Sequence, residues 1–179
     1  MTEVQRGSTD ALAILVERYH APLLAYLYRL LGGRQQLAED LVQESFLRLL
    51  QPTNYQQERP LKPWLYAIAT NLARDSFKSA SVRHQIPENE DLHSLLDSTP
   101  GPEEVVLAKE EGQIIAAAIG QLGDEYRSAL LLRFYQGMSL QEIAETLHIP
   151  LGTVKSRLSV GTRRLRDLLT ILQEEEVKK

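Results

Sequence analysis

Apolar side chains recur every three or four residues along much of the chain, which is the spacing of amphipathic helices. In the first half this pattern predicts helices over 8–31, 37–50 and 63–79. Pro22 lies inside the first of these segments and is expected to kink or split it, because its ring removes a backbone donor. In the second half the pattern predicts helices over 103–122 and 125–135, followed by a final pair. The expected fold class is therefore all-α, with two small helical bundle domains.

The final helix pair has the pattern of a helix-turn-helix. Ser139 and Glu142 have the S-x-x-E spacing of a capping box at a helix start. The segment 148–150 ends in a proline and should interrupt the helix. A second helix then carries an apolar seam with alternating steps of four and three residues, formed by Val154, Leu158, Gly161, Leu165, Leu168 and Leu172. Two helices joined by such a tight turn predict a C-terminal helix-turn-helix.

The face opposite that seam is polar and basic. It carries Ser156, Ser159, Val160 and Arg163, flanked by Lys155, Arg157, Arg164 and Arg166, and no acidic residue occurs over 151–166. In a DNA-binding helix-turn-helix the second helix enters the major groove with its first residues on base edges. The pattern therefore favours DNA binding over the alternative, a solvated basic helix packed on a small bundle.

Charge changes the picture in one respect, because a net charge of −4 is unusual for a DNA-binding protein. The acidity is concentrated in residues 80–111, which carry a net charge of −6, and the flanking segments are nearly neutral. Within that stretch residues 84–103 combine acidic side chains with prolines, which is typical of a linker. The basic residues near the end remain grouped on one helix, so the distribution is compatible with nucleic-acid binding.

Several functional classes are disfavoured by the sequence. There is no cysteine, so disulfides and thiolate metal sites are excluded, and the four histidines fit no metal-ligand pattern. No Gly-rich phosphate loop or nucleophile elbow is present. We therefore predict no catalytic residue, metal or cofactor, and no enzymatic activity. The lack of a long apolar stretch or a signal peptide predicts no membrane insertion and a cytoplasmic location.

Three motifs resemble those of the bacterial extracytoplasmic-function sigma factors. They are AEDLVQE at 38–44, KPWLYAIATN at 62–71 and GTVKSRL at 152–158, and the likeness extends over nearly the whole chain in the expected order. Where the family usually has Arg-Ala-Arg after the position of Ser159, this chain has Val160, Gly161 and Thr162. The resemblance implies a region 2-like domain over 1–83, a linker over 84–103 and a region 4-like domain over 104–179.

The resemblance also implies three functional surfaces. The residues that it implies for reading the promoter −35 element are Thr153, Lys155, Ser156, Arg157, Ser159, Val160 and Arg163. Those implied for reading and melting the −10 element are Trp64, Asn71, Arg74, Lys78 and Arg83. Those implied for binding core polymerase are Asp40, Leu41, Gln43 and Glu44. From the residues alone, hydrophobic packing is the favoured explanation of Trp64, and solvation is the favoured explanation of the polar face of 37–50.

The implied partners are the RNA polymerase core, through its largest-subunit clamp coiled coil and its flap, together with promoter DNA and an anti-sigma factor. The predicted function is a transcription initiation factor that directs polymerase to promoters by reading −10 and −35 elements and aiding DNA melting. The alternative is a free-standing repressor or activator that uses its helix-turn-helix alone and carries a sensor or dimerisation domain in its first 80 residues. A dimeric regulator of that kind would bind a palindrome.

Overall fold

A computed structural model describes residues 4, 8–51, 60–80, 112 and 114–177, and every element in those ranges is helical. The N-terminal unit consists of α1 (Thr9–Leu30), α2 (Gln35–Leu50) and α3 (Leu61–Ala80). The C-terminal unit consists of α4 (114–121), α5 (Asp124–Leu130), a π-helical segment (Leu131–Tyr135), α6 (Leu140–Leu147) and α7 (Leu151–Val177). The predicted all-α class is confirmed, and the predicted linker over 84–103 lies outside the described residues.

The N-terminal unit is a three-helix bundle with an aliphatic and aromatic core. The Ser8 hydroxyl accepts a hydrogen bond from the Ala11 N–H and so caps α1. The C-terminal half of α1 packs on α2 and α3, where Leu23, Tyr26 and Leu27 are fully buried. Gly32 takes a positive φ of 68° directly after α1, a conformation that glycine adopts without steric cost.

Pro22 does not split α1, so of the two outcomes that the sequence predicts, a kink or a split, the split does not occur. The helix runs without interruption from Thr9 to Leu30 with Pro22 inside it. Pro22 and Arg18 are both exposed, so the Arg18 carbonyl that loses its helical donor can be solvated. At an exposed site, water can replace the missing backbone hydrogen bond.

The predicted helix over 125–135 is also changed in the structure. Its second half is π-helical from Leu131 to Tyr135, and the Gln136 N–H bonds to the Leu131 carbonyl at 3.1 Å, five residues back. Leu131 and Leu132 are fully buried, so apolar packing holds this wider turn in place. The hydrophobic pattern alone does not distinguish an α-turn from a π-turn.

The two units share one apolar core. A single cluster of buried side chains includes Tyr26 and Leu65 of the N-terminal unit together with Leu131 and Ile143 of the C-terminal unit. Helix α3 packs along α6, and the end of α1 meets the π-helical segment. The two bundles are therefore in direct contact, an arrangement that the sequence analysis did not predict.

Candidate nucleic-acid interface

The helix-turn-helix begins with the predicted capping box. The Glu142 carboxylate accepts from the Ser139 N–H at 2.8 Å, and the Ser139 hydroxyl accepts from the Glu142 N–H at 3.2 Å. The backbone hydrogen bond from Ser139 is the main reason that the pKa of Glu142 lies below its usual value, and the Ser139 side chain adds to the effect. The cap therefore fixes where α6 starts.

The turn between α6 and α7 requires a left-handed residue. His148 has φ 55° and ψ 47°, and it is the non-glycine residue with positive φ in the described part of the chain. Its Nδ1 lies 3.3 Å from the Thr146 carbonyl oxygen, which partly offsets the steric cost of this conformation. This left-handed residue ends α6, and α7 begins at Leu151.

Helix α7 lies on α5 through the predicted apolar seam. Val154 and Gly161 are buried, and Leu158 and Leu165 are half-buried against the core. A Cβ placed on Gly161 would lie 3.2 Å from the nearest side-chain atoms of α5. The glycine therefore permits a closer approach of the two helices than a larger residue would allow.

The seam leaves the predicted reading face open to solvent. Of the seven residues predicted to contact the −35 element, Lys155, Ser156, Ser159 and Arg163 are exposed, while Thr153, Arg157 and Val160 are half-buried. Leu158, Ser159, Thr162, Arg163 and Arg166 line a shallow open groove beside this face. The structure thus presents four polar or basic side chains together on the first half of α7.

Two cations of the basic helix have structural partners. The Arg157 guanidinium lies 3.9 Å from the Glu125 carboxylate, and the Arg164 guanidinium lies over the Tyr126 ring. Both contacts join α7 to α5. They also leave these two guanidinium groups less available for contact with DNA than the other cations of α7. Arg163 and Arg166 are exposed and available to phosphate.

The predicted −10 residues lie along α3. Asn71 and Lys78 are exposed, and Trp64 and Arg74 are half-buried, with Trp64 packed against the core. Arg83 lies outside the described residues. The Asn71 side-chain amide is therefore exposed to solvent, on the same helix as Trp64, Arg74 and Lys78.

The predicted polymerase-binding residues lie on the outer side of α2. Asp40 and Gln43 are exposed, and Glu44 is half-buried and accepts from Arg48 Nε at 2.8 Å. Leu41 is half-buried and packs against the core, so it supports this surface from below. Two carboxylates one helical turn apart thus form an acidic patch on α2.

The structure also brings together residues that the sequence analysis did not select. Arg127 is 8% exposed and donates to the carbonyls of Ile119, Leu122 and Leu30. Burial lowers the pKa of Arg127, and neighbouring Asp124 at 3.6 Å opposes that effect. A buried arginine between helix ends leaves no periodic signal in a sequence.

Two chemistries are not supported by the geometry. In the described ranges no three His, Asp or Glu side chains come close enough together to hold a metal ion. Of the helices described, none has the length and apolar character to cross a bilayer. The exposed basic, amide and acidic surfaces on α7, α3 and α2 are the candidate functional features.

Comparison with known proteins gives matches over both units of the chain. The family described as Sigma-70 region 2 matches residues 15–83, and the family described as Sigma-70, region 4 matches residues 112–165. The ECF RNA polymerase sigma factor SigW of Bacillus subtilis is 33% identical over 175 residues, which cover 93% of each chain.

Two solved structures share the fold. CnrH, in complex with the cytosolic domain of CnrY, superposes with a TM-score of 0.69 at 23% identity and covers 95% of this chain and 94% of that one. The sigma factor RpoE of Bartonella quintana, in complex with the anti-sigma factor NepR, gives a TM-score of 0.63 at 22% identity and covers 84% and 92%.

Proposed function

The chain belongs to the extracytoplasmic-function RNA polymerase sigma factors, and from that premise we propose how its residues divide the work of promoter recognition. A sigma factor is a transcription factor that binds RNA polymerase and directs it to specific promoters. We assign the −10 function to residues 1–83, the −35 function to residues 104–179, and the connection to residues 84–103.

Reading of the −35 element is assigned to the exposed face of α7. Ser156 and Ser159 can bond base edges, while Lys155 and Arg163 contact phosphate. Val160 lies on the same side and can pack against a thymine methyl in the major groove. Arg157 and Thr153, both half-buried, complete the surface at its edge.

Reading of the −10 element is assigned to α3 and the residues that follow it. The exposed Asn71 amide can donate to and accept from an unpaired base, and Arg74 and Lys78 can follow the backbone. Trp64 and Arg83 complete the set, Trp64 from its half-buried position at the start of the helix. Binding of single-stranded bases would shift the equilibrium of the duplex toward the melted state.

Docking on core polymerase is assigned to the acidic patch of α2. Asp40 and Glu44 can pair with arginines of a partner helix, the clamp coiled coil of the largest subunit. Gln43 lies exposed between them, and Leu41 supports the helix from the core side. The C-terminal unit would meet the polymerase flap.

Two further assignments follow from the family. We propose an anti-sigma factor as a regulatory partner, since RpoE of Bartonella quintana shares this fold and was solved with one. We also propose that the protein acts in the cytoplasm without a catalytic activity, metal or cofactor of its own. Its function is then entirely that of a binding protein.

The observation that carries the proposal is the joint exposure of three separate surfaces, on α2, α3 and α7. A free-standing regulator would need the α7 surface alone. A gel-shift titration on promoter duplex at physiological salt, with and without core polymerase, separates the two functions. We expect weak binding by the isolated protein and tight, specific binding with core, because docking makes the second DNA contact intramolecular. Tight specific binding that core does not change would favour the free-standing regulator.

A further inference from the structure

A cavity of about 580 Å³ lies between the end of α1, the end of α3 and the helices α4 and α5. Its wall is predominantly apolar and includes Leu31, Phe77, Ile115 and Ile119. Ile115 and Tyr135 are exposed, so solvent reaches the cavity at their edge. Sites for small organic molecules in proteins have volumes of about 300–1,000 Å³ and apolar walls of this kind. The cavity therefore has the size and lining of a small-molecule site.

Hydrogen bonds hold the walls of this cavity in place. Arg127 donates to the Leu30 carbonyl of α1 at 2.8 Å and to the Ile119 carbonyl of α4 at 2.9 Å. Further along the same boundary the Tyr66 hydroxyl donates to Gln136 Oε1 at 2.5 Å. The opposing walls are thus joined directly, and the space between them is part of the folded structure.

Glycines line the cavity at positions where a side chain would have room. A Cβ placed on Gly32, Gly112 or Gly120 would meet no atom within 4 Å in the part of the chain that the structure describes. Gly32 needs no side chain because its φ of 68° favours glycine. Gly120 lies inside α4, where almost any other residue would form the helix better. The absence of a side chain at Gly120 therefore has a local cost, and what it provides is open space at the cavity.

Aromatic rings form a second part of the lining. Tyr28, Phe77 and Tyr135 come from three different elements and all reach the cavity. Aromatic rings attract other rings placed against their faces or edges. A flat aromatic molecule would therefore gain more from this wall than a flexible aliphatic one.

The charged groups at the cavity favour an anion. They are Arg29, Arg34, Asp124 and Arg127. Arg127 donates to main-chain carbonyls and lies 3.6 Å from Asp124, so its charge is already opposed. Arg29 lies with its guanidinium 4.6 Å from the centre of the Tyr135 ring and donates to the Ala25 carbonyl at 3.0 Å. A guanidinium has several N–H donors, so Arg29 can bind an anion and keep that bond.

We propose that this cavity is a binding site for a small aromatic molecule with one negative charge. The rings of the ligand lie among Tyr28, Phe77 and Tyr135, and its anionic group pairs with Arg29. The site shares no residue with the surfaces proposed for polymerase and promoter binding, so it does not depend on them.

Two fluorescent probes with the same rings test both the site and the charge. The probes are 1-anilinonaphthalene-8-sulfonate, which is an anion, and N-phenyl-1-naphthylamine, which lacks the sulfonate and is neutral. Titration of the full chain should show a single site that binds the sulfonate more tightly. Arg29→Gln should weaken sulfonate binding about tenfold through loss of a charge-assisted contact, and change binding of the neutral probe less than about twofold. Arg18→Gln, at an exposed arginine of α1 outside the cavity, is the matched control and should change neither.

Gly120→Leu tests whether the probes occupy the cavity itself. It should abolish binding of both probes and raise the midpoint of thermal unfolding, because leucine forms helix better and enters open space. Gly152→Leu is the control, since a Cβ on this glycine of α7 also meets no described atom within 4 Å and Gly152 lies outside the cavity. It should leave probe binding unchanged. Binding that persists in a folded Gly120→Leu protein, or many equivalent probes per chain, would overturn the site. Equal weakening of both probes by Arg29→Gln would overturn the preference for an anion, and this comparison also decides the matter if Gly120→Leu fails to fold.

Discussion

The Arg164 guanidinium carbon lies 4.6 Å from the centre of the Tyr126 ring, so this cation of the basic helix stacks on α5. Its neighbour Arg163 is exposed on the reading side of α7. Two adjacent arginines therefore have different environments. Substitution of each in turn separates the effect of a lost DNA contact from the effect of a lost packing contact.

Arg163→Ala should flatten the salt dependence of −35 binding by about 0.9 units of slope, the value for one lost phosphate contact. Arg164→Ala should leave that slope unchanged and lower the free energy of unfolding by about 0.5–1 kcal/mol through the lost cation–π contact. Binding titrations across a salt series, with urea unfolding of both variants, measure the two effects. Equal flattening by both substitutions would contradict the structural role of Arg164.

Asn71→Ala should reduce promoter opening about five- to tenfold, because it removes hydrogen bonds to a base that is accessible only when unpaired. Closed-complex affinity should change less than twofold. Permanganate footprinting of the holoenzyme on promoter DNA reports the melted thymines. Ser76→Ala on the same helix is the control, since the Ser76 hydroxyl bonds its own helix at Ala73. Normal melting with reduced duplex affinity would remove Asn71 from −10 reading.

Asp40→Lys combined with Glu44→Lys should lower core affinity by more than tenfold, because both changes replace attraction to partner arginines by repulsion. The fold should persist, since an exposed i,i+4 pair such as Glu44–Arg48 contributes only about 0.3–0.5 kcal/mol. Pull-down of core together with circular dichroism tests both statements. The control is Glu17→Lys with Glu145→Lys, which reverses the same number of exposed carboxylates elsewhere. Equal losses in both double variants would point to net charge and not to α2.

His148→Gly should stabilise the protein by about 0.5–1 kcal/mol, because glycine adopts the left-handed conformation of this turn at no steric cost. The lost contact to Thr146 is long at 3.3 Å and offsets little of that gain. His20→Gly is the control, since this exposed histidine lies inside α1 and its replacement should destabilise by about 1 kcal/mol. Chemical denaturation of both variants should therefore give opposite signs.

The stabilising effect of Glu142 should depend on pH. Its pKa is lowered in the folded protein by the hydrogen bonds from Ser139, so the carboxylate stabilises the fold above its unfolded pKa. That contribution is lost as the pH falls through the folded pKa. The difference in unfolding free energy between wild type and Glu142→Ala should thus be largest near neutral pH and shrink toward strongly acid pH. A difference that is constant over this range would contradict the capping role. Glu145→Ala, on the same helix, controls for loss of a carboxylate.

The sequence was sufficient to predict those features that depend on local periodicity. The capping box at Ser139, the break after Leu147 and the seam of α7 all follow from spacing, and the structure confirms each. The exposure of Asp40 and Asn71 follows equally from their positions opposite apolar stripes. Such features are encoded within a few turns of one helix, where side-chain period and backbone geometry are tightly linked.

Contacts between distant segments were not predictable in this way. Gln136 and Tyr66 are 70 residues apart, and neither is unusual in its own segment. From the sequence Arg127 is expected at the surface, because a charged side chain is rarely buried. In the structure it is buried and donates hydrogen bonds to four main-chain carbonyl groups. The split predicted as one outcome at Pro22 was wrong for a related reason, since the cost of a proline depends on solvent access to the carbonyl it leaves free.

The π-helical segment Leu131–Tyr135 determines how the fold responds to the insertion or deletion of a residue, apart from any change of side chain. A π-turn holds one more residue than the α-turn it replaces. Because the wide turn takes up one extra residue, deletion of one residue within it should restore regular α geometry and leave the direction of the flanking helices nearly unchanged. Deletion of one residue in a neighbouring α-turn has no wide turn to take up the change and would rotate everything beyond it by about 100°. Natural variation in length should therefore be found within this segment and not in the helical turns beside it.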